Sequence, residues 1–380
     1  MIKIKFKNLL ILLKCFWYFF SRGKANKTSV NYKTIAVFQG AKLGDMVCTT
    51  PMFRAIKEKY PQTRLIVIGD AINEKVLEHN DDIDEYIVFK DLSFWELVSE
   101  IKKRNIDFAC ITAPDFLNLA SLYLAGVPLI SSPYILSGYS HYETKPYKIL
   151  KNLVIQKPHH MGTYAPREYL RLLEAIEIYT DNTNKHLKFS REAEKSISNL
   201  FVKNNISKDD LLVGIAPGAG NKIKQWPPER FAEVAEYVIK NYGAKVIIIG
   251  GKNDLEEAKE MLSYLDDRNK VINTVGLVSI DELKTLISRL SMFVSVDTGS
   301  VYVAEAFGVP TIDIVGPMDE REQPPIGLLH RVVLPPNRYK PELHIMDARS
   351  FNKEEAKRQV DSITVQAVVG EINSLEFTKK

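Results

Sequence analysis

The strongest constraint on how this chain folds is an alternation that it runs through twice. The apolar runs TIAVF (34–38), RLIVI (64–68), YIVF (86–89), DFACIT (107–112) and PLIS (128–131) form the first series, with helical spacing near 50–60 and 72–79. Pattern is lost over 132–163 and returns as a helix with Tyr169, Leu172, Leu173 and Ile176 on one side. A polar stretch near 180–210 separates this from a second series, LLVGIAP (211–217), KVIIIGG (245–251), KVINTV (270–275), MFVSV (292–296) and TIDIVG (311–316). Helices are expected between these runs at 228–242, 254–266, 280–290 and 300–308. Short apolar runs alternating with helices predict parallel sheets covered on both faces. The expected fold is α/β, with two doubly wound Rossmann-like domains facing a central cleft. A last helix near 352–374 is expected to cross back onto the first domain. The predicted division is a terminal segment 1–30, a first domain 31–180, a second domain 181–350 and the final helix 351–380. In open parallel sheets, ligands bind outside the carboxyl ends of the strands, so the loops at those ends are where chemistry is sought.

The 380 residues leave room for two domains, and 45% hydrophobic against 26% charged residues is a globular balance. The formal net charge of +4 is concentrated at the amino terminus, where residues 1–33 hold eight Lys or Arg and no acid. The remainder is near neutral, which argues against a nucleic-acid surface. Cys15, Cys48 and Cys110 are too scattered for a disulfide framework or a metal cage, which suits a reduced, cytoplasmic protein. Leu9 to Phe20 is apolar apart from Lys14, too short for the ~20 residues that span a bilayer and without a signal-peptidase site. Residues 1–24 are expected to lie on an anionic membrane surface, at the inner face of the cytoplasmic membrane. Phe16, Trp17, Tyr18, Phe19 and Phe20 would then sit at headgroup level. The alternative is a helix packed on the protein itself.

Four strand-end loops carry unusual residues. In GAKLGDMVCTTPMFRAIK (40–57), Gly40 and Gly44 permit tight turns and Asp45 lies near a helix start, as a cap or as a reactive carboxylate. Thr49, Thr50 and Pro51 suit a helix entry, which leaves Asp45 far from it for a cap. In APGAGNKIKQWPPERFAEV, the Pro217-Gly218 turn offers backbone N–H groups and Lys222 and Lys224 add charge, a combination that suits a phosphate. In IIIGGKNDLEEA, Asp254 is read either as a holder of sugar hydroxyls or as a helix cap. Asp297, Thr298, Gly299 and Ser300 end one strand and open a helix able to receive a diphosphate. Two other patterns point to surface loops rather than metal sites: Asp82-Ile83-Asp84, and His159-His160, whose adjacent rings do not face one way on a helix. No metal ligands and no cofactor are expected.

Together, GDMVCTTPMFRAIKEKYPQTRLIVIG, APGAGNKIKQWPPERFAEVAEYV and VDTGSVYVAEAFGVPTIDIVGP resemble glycosyltransferase family 9, the heptosyltransferases of lipopolysaccharide core assembly. The resemblance covers residues 34–375 and implies a GT-B fold. It also implies an inverting, metal-independent transfer of a heptose-like sugar from a nucleotide-sugar donor, usually ADP-heptose, to a glycolipid or oligosaccharide acceptor. It places Asp45 at the catalytic base, with Gly44, Thr49 and Thr50 on the acceptor side. Lys224 falls at the phosphate-contacting lysine, and Asp297, Thr298 and Gly299 at the diphosphate and sugar contacts, with Pro217, Gly218, Asp254, Ser300 and Tyr302 completing the donor side. The family usually has His where this chain has Tyr302, and tyrosine donates a hydrogen bond but stays neutral near pH 7. Displacing a nucleoside diphosphate needs a base for the acceptor hydroxyl and positive charge for the leaving group. Two other readings share these residues: a sugar-nucleotide epimerase, and an inactive nucleotide-sugar-binding partner.

Overall fold

A computed structural model describes residues 2–21 and 31–375, with side chains from Phe6 onward. Residues 22–24 of the expected membrane segment, the rest of the 1–30 stretch that follows them, and 376–380 lie outside the described residues. The chain divides into two units, Met1–Glu74 with Asn80–Asn184, and Lys75–His79 with Lys185–Lys380.

The first unit runs α1 (Ile2–Ser21), β1 (Thr34–Phe38), α2 (Leu43–Lys59), β2 (Arg64–Gly69), α3 (Ala71–Leu77), β3 (Glu85–Val88), α4 (Phe94–Lys103), β4 (Phe108–Ile111), α5 (Phe116–Leu124), β5 (Leu129–Ser137), α6 (Lys145–Leu150), β6 (Ile155–His160) and α7 (Ala165–Leu170). Its six strands are parallel, in the order β3-β2-β1-β4-β5-β6. The β1 strand, apolar after Thr34, is buried on both faces between β2 and β4, as a central parallel strand requires. The helices start on ordinary signals: Ser93 and Glu96 form a capping box at α4, and Leu97, Val98 and Ile101 then face the core.

The second unit runs α8 (Arg191–Lys203), β7 (Leu212–Ala216), α9 (Pro228–Tyr242), β8 (Lys245–Ile248), α10 (Leu255–Ser263), β9 (Val271–Asn273), α11 (Ile280–Ser288), β10 (Met292–Val296), α12 (Gly299–Ala306), β11 (Thr311–Ile314), β12 (His330–Val333), α13 (Lys353–Ser362) and α14 (Val365–Ser374). Its parallel sheet has the order β12-β11-β10-β7-β8-β9. Proline opens α9 and Gly243, at φ +67°, closes it in the left-handed region.

Several expectations need correction. The stretch 132–163 is not patternless: β5 continues to Ser137, and β6 adds the sheet edge, where Pro158 costs no interior ladder bond. His159 and His160 therefore sit on a strand rather than in a surface loop. Their side chains point to opposite faces; His159 is buried and His160 meets Glu168. The strand β12 was not anticipated. The final helix is two helices, α13 and α14, with Thr364 capping the second. Val360, Ile363, Val368 and Ile372 join the core of the second unit, and the Trp226 indole donates to Ile363 O at 3.0 Å. Asp82 and Asp84 are engaged in ion pairs with Arg54 and Lys57.

The alternative reading of the amino-terminal segment, a helix packed on the protein itself, is met in part. Ile11, Leu12 and Cys15 are buried in the core of the first unit, Phe16 and Tyr18 pack against it, and the Tyr18 ring meets the edge of Tyr123 at 5.8 Å. Phe16 and Tyr18 thus leave the set expected at a headgroup layer. Phe6, Leu9, Leu10, Leu13, Trp17 and Phe20 remain exposed along one stripe, Trp17 by 73% and Phe20 by 80%. No helix among the described residues is long and apolar enough to cross a membrane.

His330 on β12 yields a stability prediction. Burial, with Lys185 and Arg331 nearby, pushes its imidazole down to about 4, and Thr311 Oγ1 lies 2.8 Å from Nδ1. Its folded-state value is depressed, so its contribution is complete above ~6.5 and is lost as pH falls through about 4. Unfolding titrations should lose about 1–2 kcal/mol across that window, allowing for partial screening. The loss should be absent in His330→Gln.

Candidate active site

On the first unit, the loop after β1 leads into α2, which begins at Leu43, eight residues before Pro51. Asp45 therefore lies in the first helical turn, half-buried, where the helix dipole favours a carboxylate, and it is not the N-cap, which is Lys42. Pro51 is inside the helix, correcting its placement at the entry. A proline there removes the bond to the carbonyl four residues back, which is Val47 O. The Thr50 hydroxyl donates to that same oxygen at 2.8 Å. Thr49 donates to Asp45 O at 2.7 Å and accepts from Gln39 Nε2 at 3.0 Å. Both threonines are fully buried, so they brace the helix under Asp45 rather than forming an acceptor-side loop. Gly44 shares the first turn with Asp45.

On the second unit, strand order reverses between β7 and β10, the position where doubly wound sheets bind ligands. Asp297 follows β10 and is 7% exposed. Lys224, on the short turn Lys222–Lys224 after β7, reaches across to it, with Nζ 2.9 Å from Asp297 Oδ2 and also donating to Asp297 O. The buried Tyr302 hydroxyl donates to the other carboxylate oxygen, Oδ1. Tyr302, at the sequence position where the family usually has His, thus lies beside Asp297. Thr298 N-caps α12 without a side-chain cap bond, its hydroxyl lying 2.9 Å from Ser300 Oγ instead. The first amides of α12, from Gly299 onward, are left without a side-chain cap.

The Pro217-Gly218 turn and Asp254 also meet. A Cβ on Gly218 would fall 2.2 Å from Asp254 Oδ1, so glycine is needed for this contact. Asp254 Oδ2 accepts from Gly251 N at 2.8 Å, which favours the capping role of the two anticipated for it. Beneath α12, the buried Lys185 pairs with Glu305 at 2.7 Å, and its Nζ lies 5.9 Å from the Tyr302 ring centre.

Sequence reasoning passed over two features. Asp313 sits in the middle of the buried β11; the visible signal was an acid inside TIDIV. Burial and the neighbouring Asp297 carboxylate raise its pKa well above the usual carboxyl range, with Lys224 opposing. Asp319, Glu322 and His344 also gather their ligand atoms within 4.8 Å. They are engaged as an ion-pair cluster: Arg321 holds Asp319 through two bonds, of 2.8 and 2.6 Å, and His344 Nδ1 lies 3.3 Å from Glu322 Oε1. The contact with Glu322 and the nearby Asp319 raise the His344 pKa, with burial and Arg321 opposing.

With two doubly wound units and this lysine–aspartate site in place, the comparisons with known proteins are decisive. The model of glycosyltransferase family 9 (heptosyltransferase) matches residues 101–350. The chain belongs to this family. It is a family 9 glycosyltransferase, with relatives in lipopolysaccharide biosynthesis. It is 25% identical over 316 residues to lipopolysaccharide heptosyltransferase 2 of Escherichia coli K12, covering 79% of this chain and 87% of the relative. Among solved structures, a family 9 glycosyl transferase from Veillonella parvula superposes with a TM-score of 0.76, at 21% identity, over 92% of this chain and 98% of that one. The E. coli ADP-heptose heptosyltransferase II gives 0.70 at 21% identity, over 90% and 98%. Both likenesses place this family 9 chain in the GT-B fold.

Proposed function

We propose that this glycosyltransferase moves a heptose-like sugar from a nucleoside-diphosphate donor to a lipopolysaccharide-core or related envelope glycan, by inverting displacement without a metal. The observation that carries the reading is the Lys224–Asp297–Tyr302 group beside the uncapped start of α12. A lysine and free helix amides are what a departing diphosphate requires in place of a divalent cation. On donor binding, Lys224 turns to the phosphates while Tyr302 keeps Asp297 in place. Asp45 takes the proton of the acceptor hydroxyl as it attacks the anomeric carbon, and the diphosphate leaves from the opposite face. The E. coli relative named for ADP-heptose supports adenine as the donor base.

A thermal-shift panel of ADP-, GDP-, UDP- and CMP-sugars in EDTA tests this. A ligand at a hundred times its Kd adds about 2.7 kcal/mol, a displacement of several degrees. A selective shift with ADP-heptose is expected. A shift seen only with Mg²⁺ refutes metal independence. Donor binding without turnover or hydrolysis favours the inactive-partner reading.

We further infer that the enzyme works at an anionic membrane surface through the α1 stripe, at the inner face of the cytoplasmic membrane. Lys7, Lys14 and the basic residues outside the described region supply charge, and Phe6, Leu10, Leu13, Trp17 and Phe20 supply apolar contact. Because Trp17 and Phe20 are exposed, replacing both with Ser leaves the fold intact. Burying each in lipid is worth roughly 1.5–3 kcal/mol. Co-sedimentation with anionic liposomes should therefore weaken at least tenfold in the double variant, and equal binding refutes the surface.

A further inference from the structure

A small pocket of about 10 Å³, wide enough for one hydroxyl or water, lies on the second unit beside the lysine–aspartate site, walled by Asp297, Tyr302, Asp313, Asp319, Glu320 and Gln323. Four carboxyl groups in one wall are hostile to phosphate and suited to hydroxyls. Three of the four are already matched: Asp297 by Lys224 and Tyr302, Asp319 by Arg321, and Glu320 by Arg338. Asp313 is not. It is 1% exposed, its Oδ1 has no hydrogen-bond partner, and no ion pair reaches it among the described residues.

An unsatisfied carboxyl oxygen inside a protein is costly, and a fold that needed only packing would place an apolar side chain here. Ile312 and Ile314, the neighbours of Asp313 on β11, do turn into the apolar core, while the register of the strand puts Asp313 on the other face, with the pocket. The space beside it, in the pocket, is where a hydroxyl can supply the missing partner. Lys224 and the α12 amides draw the diphosphate to their side of Asp297, so the carboxyl-walled side is left for the group that the diphosphate carries.

We propose that Asp313 reads a hydroxyl of the transferred sugar, and that this pocket sets donor-sugar specificity. The proposal rests on the Lys224–Asp297 group being the donor site. The raised pKa of Asp313 fits the role, because a neutral acid both donates to and accepts from a hydroxyl.

Isothermal titration of the full chain with ADP and with ADP-heptose, in wild type, Asp313→Ala and Asp313→Asn, tests it. Wild type should bind both ligands. Asp313→Ala should bind ADP unchanged and lose about tenfold to a hundredfold in affinity for ADP-heptose, the worth of one buried hydrogen bond. Asp313→Asn, which keeps a donor and an acceptor, should recover part of the loss. The thermal midpoint of Asp313→Ala should be no lower than that of wild type, since a purely structural residue would lower it. Equal effects on both ligands, or none on either, overturn the proposal. Failure of wild type to bind ADP overturns the donor-site reading instead, and this proposal with it.

Discussion

Asp45→Asn should lower kcat by roughly 10²–10⁴ while leaving the Kd for donor unchanged. The substitution is isosteric, and the Asp45 backbone oxygen that receives Thr49 remains in place, so the frame of α2 survives. What disappears is the ability to take a proton. The start of α2 also loses a favourable charge, worth about 0.3–1 kcal/mol of stability, too little to account for a loss of that size. Single-turnover rates beside donor titrations separate the two effects. Turnover at the wild-type rate would remove Asp45 from the mechanism.

Lys224→Met should act on both stability and binding. Lys224 and Asp297 are nearly buried, and Asp297 would be left with Tyr302 as its neutral partner. Breaking a buried pair from one side costs about 3–5 kcal/mol, because the surviving charge stays desolvated. The same change removes the cation that we propose holds the diphosphate. We expect a drop in thermal midpoint together with a hundredfold or greater weakening of donor binding. Lys224→Met combined with Asp297→Asn should regain much of the stability and none of the affinity. If the double variant regained affinity, the lysine would be a structural partner of Asp297 and not a phosphate ligand.

The sheets were legible because buried parallel strands are written as mostly apolar runs, such as TIAVF and MFVSV. Edge strands are less constrained: β6 reads IQKPHH and β12 reads HRVV, and neither stands out from a loop. The start of α2 was misplaced because proline commonly opens helices. Here Thr50 supplies the hydrogen bond that Pro51 cannot, and no propensity rule anticipates that exchange. Asp45 and Lys224 stood out in the sequence as charges in glycine-rich turns; the structure puts Asp45 in the first turn of α2 and gives Lys224 a partner in Asp297, which no loop pattern announces. Asp313 was not, because it falls inside a strand, where pattern reading looks for packing.

The seating of α1 has a practical consequence. A helix with Ile11, Leu12 and Cys15 at its root cannot be treated as a detachable tail. Trimming it to improve solubility would uncover the apolar faces of α5 and α6 that it packs against, Tyr123 among them. The shortened enzyme should precipitate more readily than its parent. Polar replacements on the outer stripe, with the inner row left untouched, are the route to a detergent-free preparation.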